Sequence, residues 1–255
     1  MIYIAFILFT LFILFFVLYQ WQYFLIFSPT YIKERRLCEQ CEPLEIVTDD
    51  GISLEGVVYE PKEFKETLLF FAGRSHDSVA LIQKLQATYP KSRIITFNYR
   101  SYGRNKGSVT EKNMLEDALH IAKIVQKNYG DFYLLGFSIG SSLCAYIASK
   151  MKVKGVFLVG AFDSIPLIAK IKFNCSIPEM FIKYKFPTIE FVQNIESDTY
   201  IFLSQDDDIT YIENGRNLSK SVKNLTFYKE YENLSHKELL WDEEVVGYIN
   251  GVVNR

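Results

Sequence analysis

Gly136-Phe137-Ser138-Ile139-Gly140 is the stretch that decides how this chain is interpreted. The apolar run at 132–135 precedes it, and a run rich in small residues at 141–145 follows it. This order predicts a strand, a sharp turn and a helix. In a nucleophile elbow, a serine occupies such a turn in a strained backbone conformation, and the flanking glycines avoid collisions between strand and helix. Ser138 is therefore the candidate nucleophile.

Length and charge restrict the class of protein. A chain of 255 residues fits one large α/β domain plus an appendage. The formal net charge of -2 does not provide the excess positive charge that nucleic-acid binding needs, so no nucleic-acid partner is expected.

The N-terminal segment is apolar from residue 2 to 18 except at Thr10, and a second apolar patch covers 23–27. A bilayer core needs about 20 apolar residues in a helix, with aromatic residues at the interface. A cleaved signal peptide would have a basic start, a shorter apolar core and a small-x-small cleavage site. A buried core helix is a further alternative, but an all-apolar helix at a terminus is more typical of lipid. Residues 1–27 are predicted to form a single transmembrane anchor, followed by a connector at 28–43.

The side of the membrane is inferred from basic residues. Lys33, Arg35 and Arg36 follow the anchor, with Glu34 among them, and no Lys or Arg precedes it. The positive-inside tendency therefore places the globular part in the cytoplasm.

Cys38 and Cys41 form a lone C-x-x-C motif in the connector. A zinc site would need further ligands, and a thioredoxin-like pair would lie at a strand-to-helix turn. The pair is interpreted as ordinary or lipid-modified cysteines beside the membrane. No metal is expected.

The remaining chain, residues 44–255, predicts one α/β domain. An Asp-Gly turn at 50–51 joins two alternating segments at 44–48 and 52–58 into a hairpin. Unbroken apolar runs predict strands covered on both faces at 67–71, 93–97, 155–159 and 199–203, with a last strand at 225–229.

Helical periodicity separates these strands. It predicts helices at 108–130, where Ser108 and Glu111 have the spacing of a capping box, and at 212–222 and 239–253. Residues 162–196, interrupted by three prolines, are predicted to form a small insertion or lid. The alternation predicts a mostly parallel central sheet with helices on both faces.

A serine nucleophile needs a base, and the base needs an acid that orients it. Of the three histidines, His120 lies within a predicted helix, which indicates a structural role. His76 follows the third strand and could contact substrate, and His236 lies in a polar loop after the last strand. The acid is sought among the aspartates at 206–208, of which one can orient an imidazole. A calcium loop is less consistent with this turn, which lacks a suitable glycine and a distal glutamate.

The oxyanion of acyl transfer needs two backbone donors. The Ile139 amide, directly after the nucleophile, is one, and the loop at 73–75 after the third strand supplies the other.

Residues 98–107, Asn-Tyr-Arg-Ser-Tyr-Gly-Arg-Asn-Lys-Gly, carry a family resemblance. Together with the elbow, the aspartate turn and the glycine loop, they resemble the membrane-anchored branch of the α/β-hydrolase superfamily. Its members have one N-terminal anchor and a tract of the type Asp-Tyr-Arg-Gly-Tyr-Gly-x-Ser-x-Gly before the elbow. The resemblance extends from about residue 44 to the C-terminus and implies the α/β-hydrolase fold.

The resemblance also assigns roles to residues. The family's acid pattern, Gly-x-x-Asp-x-Ile/Val, falls on 204–209 and selects Asp207. The order nucleophile, acid, histidine selects His236, and the oxyanion loop falls on Gly73 and Arg74.

The chain departs from the family pattern in that loop. It has Ala72-Gly73-Arg74 where the family usually has His-Gly-Asn. Because the donor is a backbone amide, the oxyanion hole is retained, but the Arg74 side chain is expected near the substrate, where it would favour an anionic group. Ser101 and Asn105 also replace a usual glycine and serine.

The function implied by the resemblance is that of a membrane-anchored serine hydrolase that needs no cofactor. It would cleave a carboxylic ester or thioester through an acyl-enzyme, and acyl esters, lipids or S-acylated proteins are the implied substrates. Two alternatives stay open. One is an inactive membrane-tethered binding or scaffold protein on this fold, and the other is a serine peptidase.

Overall fold

The computed structural model describes residues 2–35 and 37–255. The strands are β1 (Cys41–Val47), β2 (Ser53–Tyr59), β3 (Glu66–Phe71), β4 (Ser92–Phe97), β5 (Tyr133–Phe137), β6 (Gly155–Val159), β7 (Asp198–Ser204) and β8 (Leu225–Tyr231). The helices are α1 (Ile2–Ile26), α2 (Ile82–Thr88), α3 (Glu111–Tyr129), α4 (Ile139–Lys150), α5 (Ile165–Phe173), α6 (Thr188–Val192), α7 (Ile212–Ser219), α8 (His236–Leu239) and α9 (Glu243–Val253).

The strands form one sheet in the order β1-β2-β4-β3-β5-β6-β7-β8. The hairpin β1-β2 is antiparallel, β2 pairs antiparallel with β4, and the strands from β4 to β8 are parallel. Two apolar clusters of buried residues lie on the opposite faces of the sheet. The predicted mostly parallel sheet with helices on both faces is therefore confirmed.

The parallel strands place several loops together. Their carboxyl ends share one edge of the sheet, where ligands of open α/β sheets bind. The loops after β3, β5, β7 and β8 meet there, and these loops carry Gly73, Ser138, Asp207 and His236.

Helix α3 begins differently from the prediction. Its N-cap is Thr110, whose side chain accepts a hydrogen bond from the Asn113 amide at 3.1 Å, so the predicted Ser108–Glu111 capping box is wrong. Glu111 instead accepts hydrogen bonds from the amides of Lys185 and Phe186, at 2.6 and 2.8 Å. Desolvation raises the pKa of this carboxyl. Glu111 therefore attaches the insertion to the domain.

The insertion between β6 and β7 consists of α5, a short 3-10 helix (Glu179–Phe181) and α6. Ser164 caps α5, and Asn174 ends it in a left-handed conformation. None of the residues of α5 is buried. We call residues 162–196 the lid.

Helix α1 is long and apolar enough to cross a membrane, with a mean hydropathy of 2.3, and its apolar stretch is not buried. Directly after this exposed helix, the Phe27 side chain is buried in the domain core. The Phe27 ring packs edge-on against Tyr184 of the lid, with centroids 4.8 Å apart. The chain therefore enters the core of the domain directly after α1.

The connector is also attached to the domain. Arg35 pairs with Glu55 at 2.8 Å and with Asp77 at 2.9 Å, and its side chain is buried. Cys38 and Cys41 are joined by a disulfide, which the sequence interpretation as ordinary or lipid-modified cysteines did not foresee. Strand β1 begins at Cys41, within the predicted connector. Met1 and Arg36 lie outside the described residues.

Candidate active site

Ser138 occupies the turn between β5 and α4 with φ 56° and ψ -121°. Few non-glycine residues adopt a positive φ, and such strain is concentrated at functional sites. The Ser138 amide donates to the Val159 carbonyl at 2.9 Å, which fixes the turn to β6. A Cβ atom at Gly136 would lie 2.5 Å from the Gly140 oxygen, and one at Gly140 would overlap the Phe71 carbonyl. The glycines of the elbow are therefore required by close backbone packing.

Asp207 and His236 are hydrogen-bonded, with 2.6 Å between Nδ1 of the imidazole and Oδ2 of the carboxylate. Both side chains are buried. The other oxygen, Oδ1, accepts hydrogen bonds from the amides of Ile209 and Thr210 at 2.9 and 2.8 Å. Thr210 Oγ1 donates to Oδ2 at 2.7 Å. Four donors therefore hold this carboxylate in one orientation.

These contacts determine the charge of Asp207. Burial alone would raise its pKa, but the hydrogen bond and charge of His236, with the bonds from Thr210, outweigh burial and lower the pKa below its usual value. Asp207 is therefore ionised at neutral pH, as an acid that orients an imidazole must be.

The imidazole lies beside the elbow. Phe137, directly before Ser138, packs on the His236 ring with centroids 4.8 Å apart. A Cβ atom at Gly160 would lie 3.0 Å from His236 Cε1, so this glycine leaves space for the ring. Among the described residues, Ser138 Oγ makes no hydrogen bond to His236 within the usual limits. Catalytic hydrogen bonds of unliganded enzymes are often long and tighten with substrate.

The predicted oxyanion residues Ile139 and Arg74 line the same cavity as Ser138. Ile139 is the first residue of α4, where the helix dipole favours negative charge. The Gly73 position is packed against Phe137, since a Cβ there would lie 3.0 Å from that ring. The Arg74 carbonyl accepts a hydrogen bond from Tyr102 at 2.6 Å.

The Arg74 side chain has a partner within the chain. Its Nη1 atom donates to the Leu25 carbonyl near the end of α1, and Arg74 lines the same cavity as Ser138. Tyr102, whose hydroxyl bonds to the Arg74 carbonyl, also accepts a hydrogen bond from the Ser28 amide at 3.1 Å. The loop at 73–75 is thus joined to the end of α1 through Arg74 and to the connector through Tyr102, and the sequence revealed neither contact.

A cavity of about 370 Å³ reaches Ser138. Its walls come from the end of α1, the elbow, the lid and the loop after β7, and they include Phe24, Leu25, Arg74, Ile139, Phe162, Ile165, Ile168, Phe173, Ile177, Phe181 and Ile209. Apolar side chains dominate this lining, as is usual for sites that take a largely apolar ligand.

The remaining histidines have other surroundings. His76 packs edge-on against Phe137 at 5.8 Å, burial lowers its pKa, and it does not line the cavity. His120 Nε2 lies 3.2 Å from the Val47 carbonyl, on the face of α3. Within residues 2–35 and 37–255, no three His, Cys, Asp or Glu side chains are grouped in a way that could hold a metal ion.

Solved structures place this architecture in the α/β-hydrolase fold. The esterase Pf2001 of Pyrococcus furiosus superposes with a TM-score of 0.70 at 14% identity, covering 89% of this chain and 98% of that one. The α/β hydrolase GrgF of Penicillium sp. sh18 gives 0.67 at 12% identity, covering 84% and 96%. Est1E of Butyrivibrio proteoclasticus with bound ferulic acid gives 0.64 at 17% identity, covering 82% and 96%.

Two sequence relatives match this chain at low identity. The uncharacterized protein R595 of Acanthamoeba polyphaga mimivirus is 23% identical over 73% of this chain and 71% of its own length. The uncharacterized membrane protein YNL320W of Saccharomyces cerevisiae is 29% identical over 49% of this chain and 46% of its own length. No protein-family model matches the chain.

Proposed function

We propose that this protein is a membrane-anchored serine hydrolase that cleaves a carboxylic ester or thioester. The observation that carries the proposal is the buried Asp207–His236 pair beside a serine held at positive φ. The esterases among its structural neighbours support the reaction class, and the apolar cavity at Ser138 supports an acyl substrate.

In the proposed mechanism, Ser138 Oγ attacks the acyl carbonyl while His236 Nε2 accepts the hydroxyl proton. Asp207 holds the proton on Nδ1 and stabilises the imidazolium that forms. The amides of Ile139 and Arg74 stabilise the oxyanion. His236 then protonates the departing alcohol or thiol, and water hydrolyses the acyl-enzyme by the same steps. No step of this reaction needs a metal or an organic cofactor.

The substrates that fit are acyl esters, lipids and S-acylated proteins. The cavity wall formed by Phe24 and Leu25 belongs to the anchor helix itself, so the acyl group would bind close to the membrane.

Two observations support a proposal about the side of the membrane on which the domain lies. Arg35, one of the basic residues that predicted a cytoplasmic domain, is paired with Glu55 and Asp77 rather than free to face lipid. The Cys38–Cys41 disulfide is typical of oxidising compartments. We therefore propose that the domain lies on the oxidising side.

A fluorophosphonate probe tests the mechanism on the full chain in phospholipid nanodiscs. We expect covalent labelling of wild type, mapped to Ser138 by mass spectrometry, and none in Ser138→Ala. Ser142→Ala is the matched control, because this buried hydroxyl in the same helix has no hydrogen-bond partner. A folded wild-type protein that takes up no probe would favour the inactive scaffold instead.

A further inference from the structure

The lid exposes a patch of large apolar side chains. Ile171, Phe173, Met180 and Phe181 are 37%, 53%, 77% and 40% exposed. These residues come from α5 and from the 3-10 helix that follows it, and Phe173 and Phe181 of the two elements line one cavity. Large apolar side chains exposed on neighbouring elements are typical of a binding face.

This patch lies against the anchor. The Phe181 ring packs edge-on against Phe15, with centroids 5.4 Å apart. Gln22 donates to the Phe181 carbonyl at 2.7 Å and accepts from the Lys183 amide at 2.8 Å. The lid is therefore aligned along α1, over a stretch from Phe15 to Gln22.

The length of α1 fixes the depth of this contact. Its 25 residues are about 37 Å long, whereas a hydrocarbon core is about 30 Å thick, so about 7 Å of helix can lie outside it. Phe15 precedes Ile26 by eleven residues, or about 16 Å. With α1 spanning the bilayer, Phe15 lies about 9 Å inside the hydrocarbon, and Phe181 beside it must enter the leaflet.

The polar groups nearby match a membrane interface. Lys183 Nζ bonds to Gln20 at 2.7 Å and lies 5.6 Å from the centre of the Tyr19 ring. Lys170 and Lys172 are exposed on the last turn of α5. Lysines that bury their stems and hold their ammonium groups at headgroup level are common at such boundaries, as are tyrosines.

We propose that residues 165–182 dock into the same phospholipid leaflet that holds α1, and that the Ser138 cavity receives its acyl chain directly from that leaflet. The cavity is lined by Phe24 and Leu25 of the anchor and by Phe173 and Phe181 of the lid. All four side chains lie at the membrane in this arrangement, so an acyl chain passes from lipid to Ser138 without crossing water. The docking stands independently, whereas the substrate class, a long-chain ester resident in the membrane, rests on the proposed function.

The docking is tested with a fluorophore at Cys175. This thiol is exposed in the lid, Cys144 is buried, and Cys38 and Cys41 are disulfide-bonded, so an environment-sensitive maleimide dye reacts there. The full chain is placed in phosphatidylcholine nanodiscs with or without nitroxide-labelled acyl chains. We expect a blue-shifted emission that the nitroxide lipid quenches.

The matched control carries the dye at Lys223→Cys in a Cys175→Ser background, because Lys223 precedes β8 at the opposite edge of the sheet. Its emission should be unquenched. Equal quenching at both positions overturns the proposal, and so does a blue shift at Cys175 that lipid nitroxide leaves unquenched, since a second copy or another protein would then cover the patch.

Delivery of the acyl chain is tested with the double variant Ile171→Ser/Met180→Ser, whose residues do not line the cavity. Hydrolysis of a long-chain ester in the bilayer should fall about tenfold, while a water-soluble short-chain ester is hydrolysed at the wild-type rate. Val47→Ser/Leu225→Ser, with exposures of 57% and 37%, is the matched control and should change neither rate.

Equal loss on both esters, or no loss on either, refutes delivery from the leaflet. If the wild-type protein hydrolyses neither ester, the proposed function fails, and the quenching experiment still decides the docking.

Discussion

Replacing Asp207 by Asn removes a charge while keeping nearly the same shape, and the surrounding donors determine the outcome. Oδ1 accepts from two backbone amides, which cannot rotate, so the amide oxygen of Asn must take that position. The NH2 group is then placed at Oδ2, facing Thr210 Oγ1 and His236 Nδ1. The Thr210 hydroxyl can turn to accept, but Nδ1 can accept only if the imidazole proton moves to Nε2.

This tautomer cannot accept the proton of Ser138. We therefore expect Asp207→Asn to lower kcat by about 10⁴-fold, the loss that the wrong imidazole tautomer causes in a serine protease triad. The protein should stay folded, because the Ile209 and Thr210 amides keep the side-chain oxygen as their acceptor, and unfolding should weaken only by the contribution of the lost charge. The assay is hydrolysis of a chromogenic short-chain ester by the full chain in nanodiscs, with fluorophosphonate labelling as a second measurement.

Neighbouring carboxylates provide the controls. Asp206 accepts a hydrogen bond from the Asn233 amide, and Asp208 lines the cavity, but neither contacts His236. Asp206→Asn and Asp208→Asn should each retain activity within about tenfold of wild type. Comparable losses at all three aspartates, or an active Asp207→Asn protein, would refute the assignment of the acid.

Three further predictions concern the oxyanion loop, acid stability and the disulfide. Tyr102→Phe leaves the Arg74 carbonyl and the Ser28 amide without the hydroxyl that both contact. An unsatisfied buried polar group costs about 1–3 kcal/mol of folding free energy. We therefore expect kcat/KM for the short-chain ester to fall about tenfold or more while the protein stays folded. Because the pKa of Asp207 is lowered in the folded state, its ionised form contributes stability above the unfolded pKa of about 3.9, and this contribution is lost as pH falls through the folded pKa. The free energy of unfolding in denaturant should therefore decrease more steeply with falling pH for wild type than for Asp207→Asn. In native membranes, a maleimide mass tag should modify Cys38 and Cys41 only after reduction, and tagging without reductant would place the domain in a reducing compartment.

The sequence was most informative where local pattern determines structure. The apolar runs at 67–71, 93–97, 155–159 and 199–203 lie in β3, β4, β6 and β7, because strands covered on both faces need unbroken apolar sequence. The elbow was recognisable because its glycines avoid contacts with backbone atoms, which no other residue type satisfies.

Contacts between distant segments were not predictable from those patterns. Glu111 has the spacing of a capping residue, yet it bonds to amides more than seventy positions away. Arg74 reaches the Leu25 carbonyl, 49 positions earlier. Thr210 orients Asp207, but only its position after the aspartate turn in the sequence pointed to that role. Such partners depend on how separate elements meet in three dimensions, which periodicity does not encode.

The end of α1 and the segment that follows it contact the domain close to the candidate site. Phe27 is buried in the domain core, and a buried Phe side chain stabilises a fold by about 1.5–3 kcal/mol. Arg35 neutralises Asp77, whose side chain is fully buried just after the oxyanion loop, and removing one partner of a buried ion pair costs about 3–5 kcal/mol. The Ile32 amide donates to the same carboxylate at 3.0 Å. A domain cut before β1 would lose all of these contacts as well as the wall of the cavity formed by Leu25. These contacts converge on the loop that carries Gly73 and Arg74, so we expect α1 and the segment after it to help hold that loop in place.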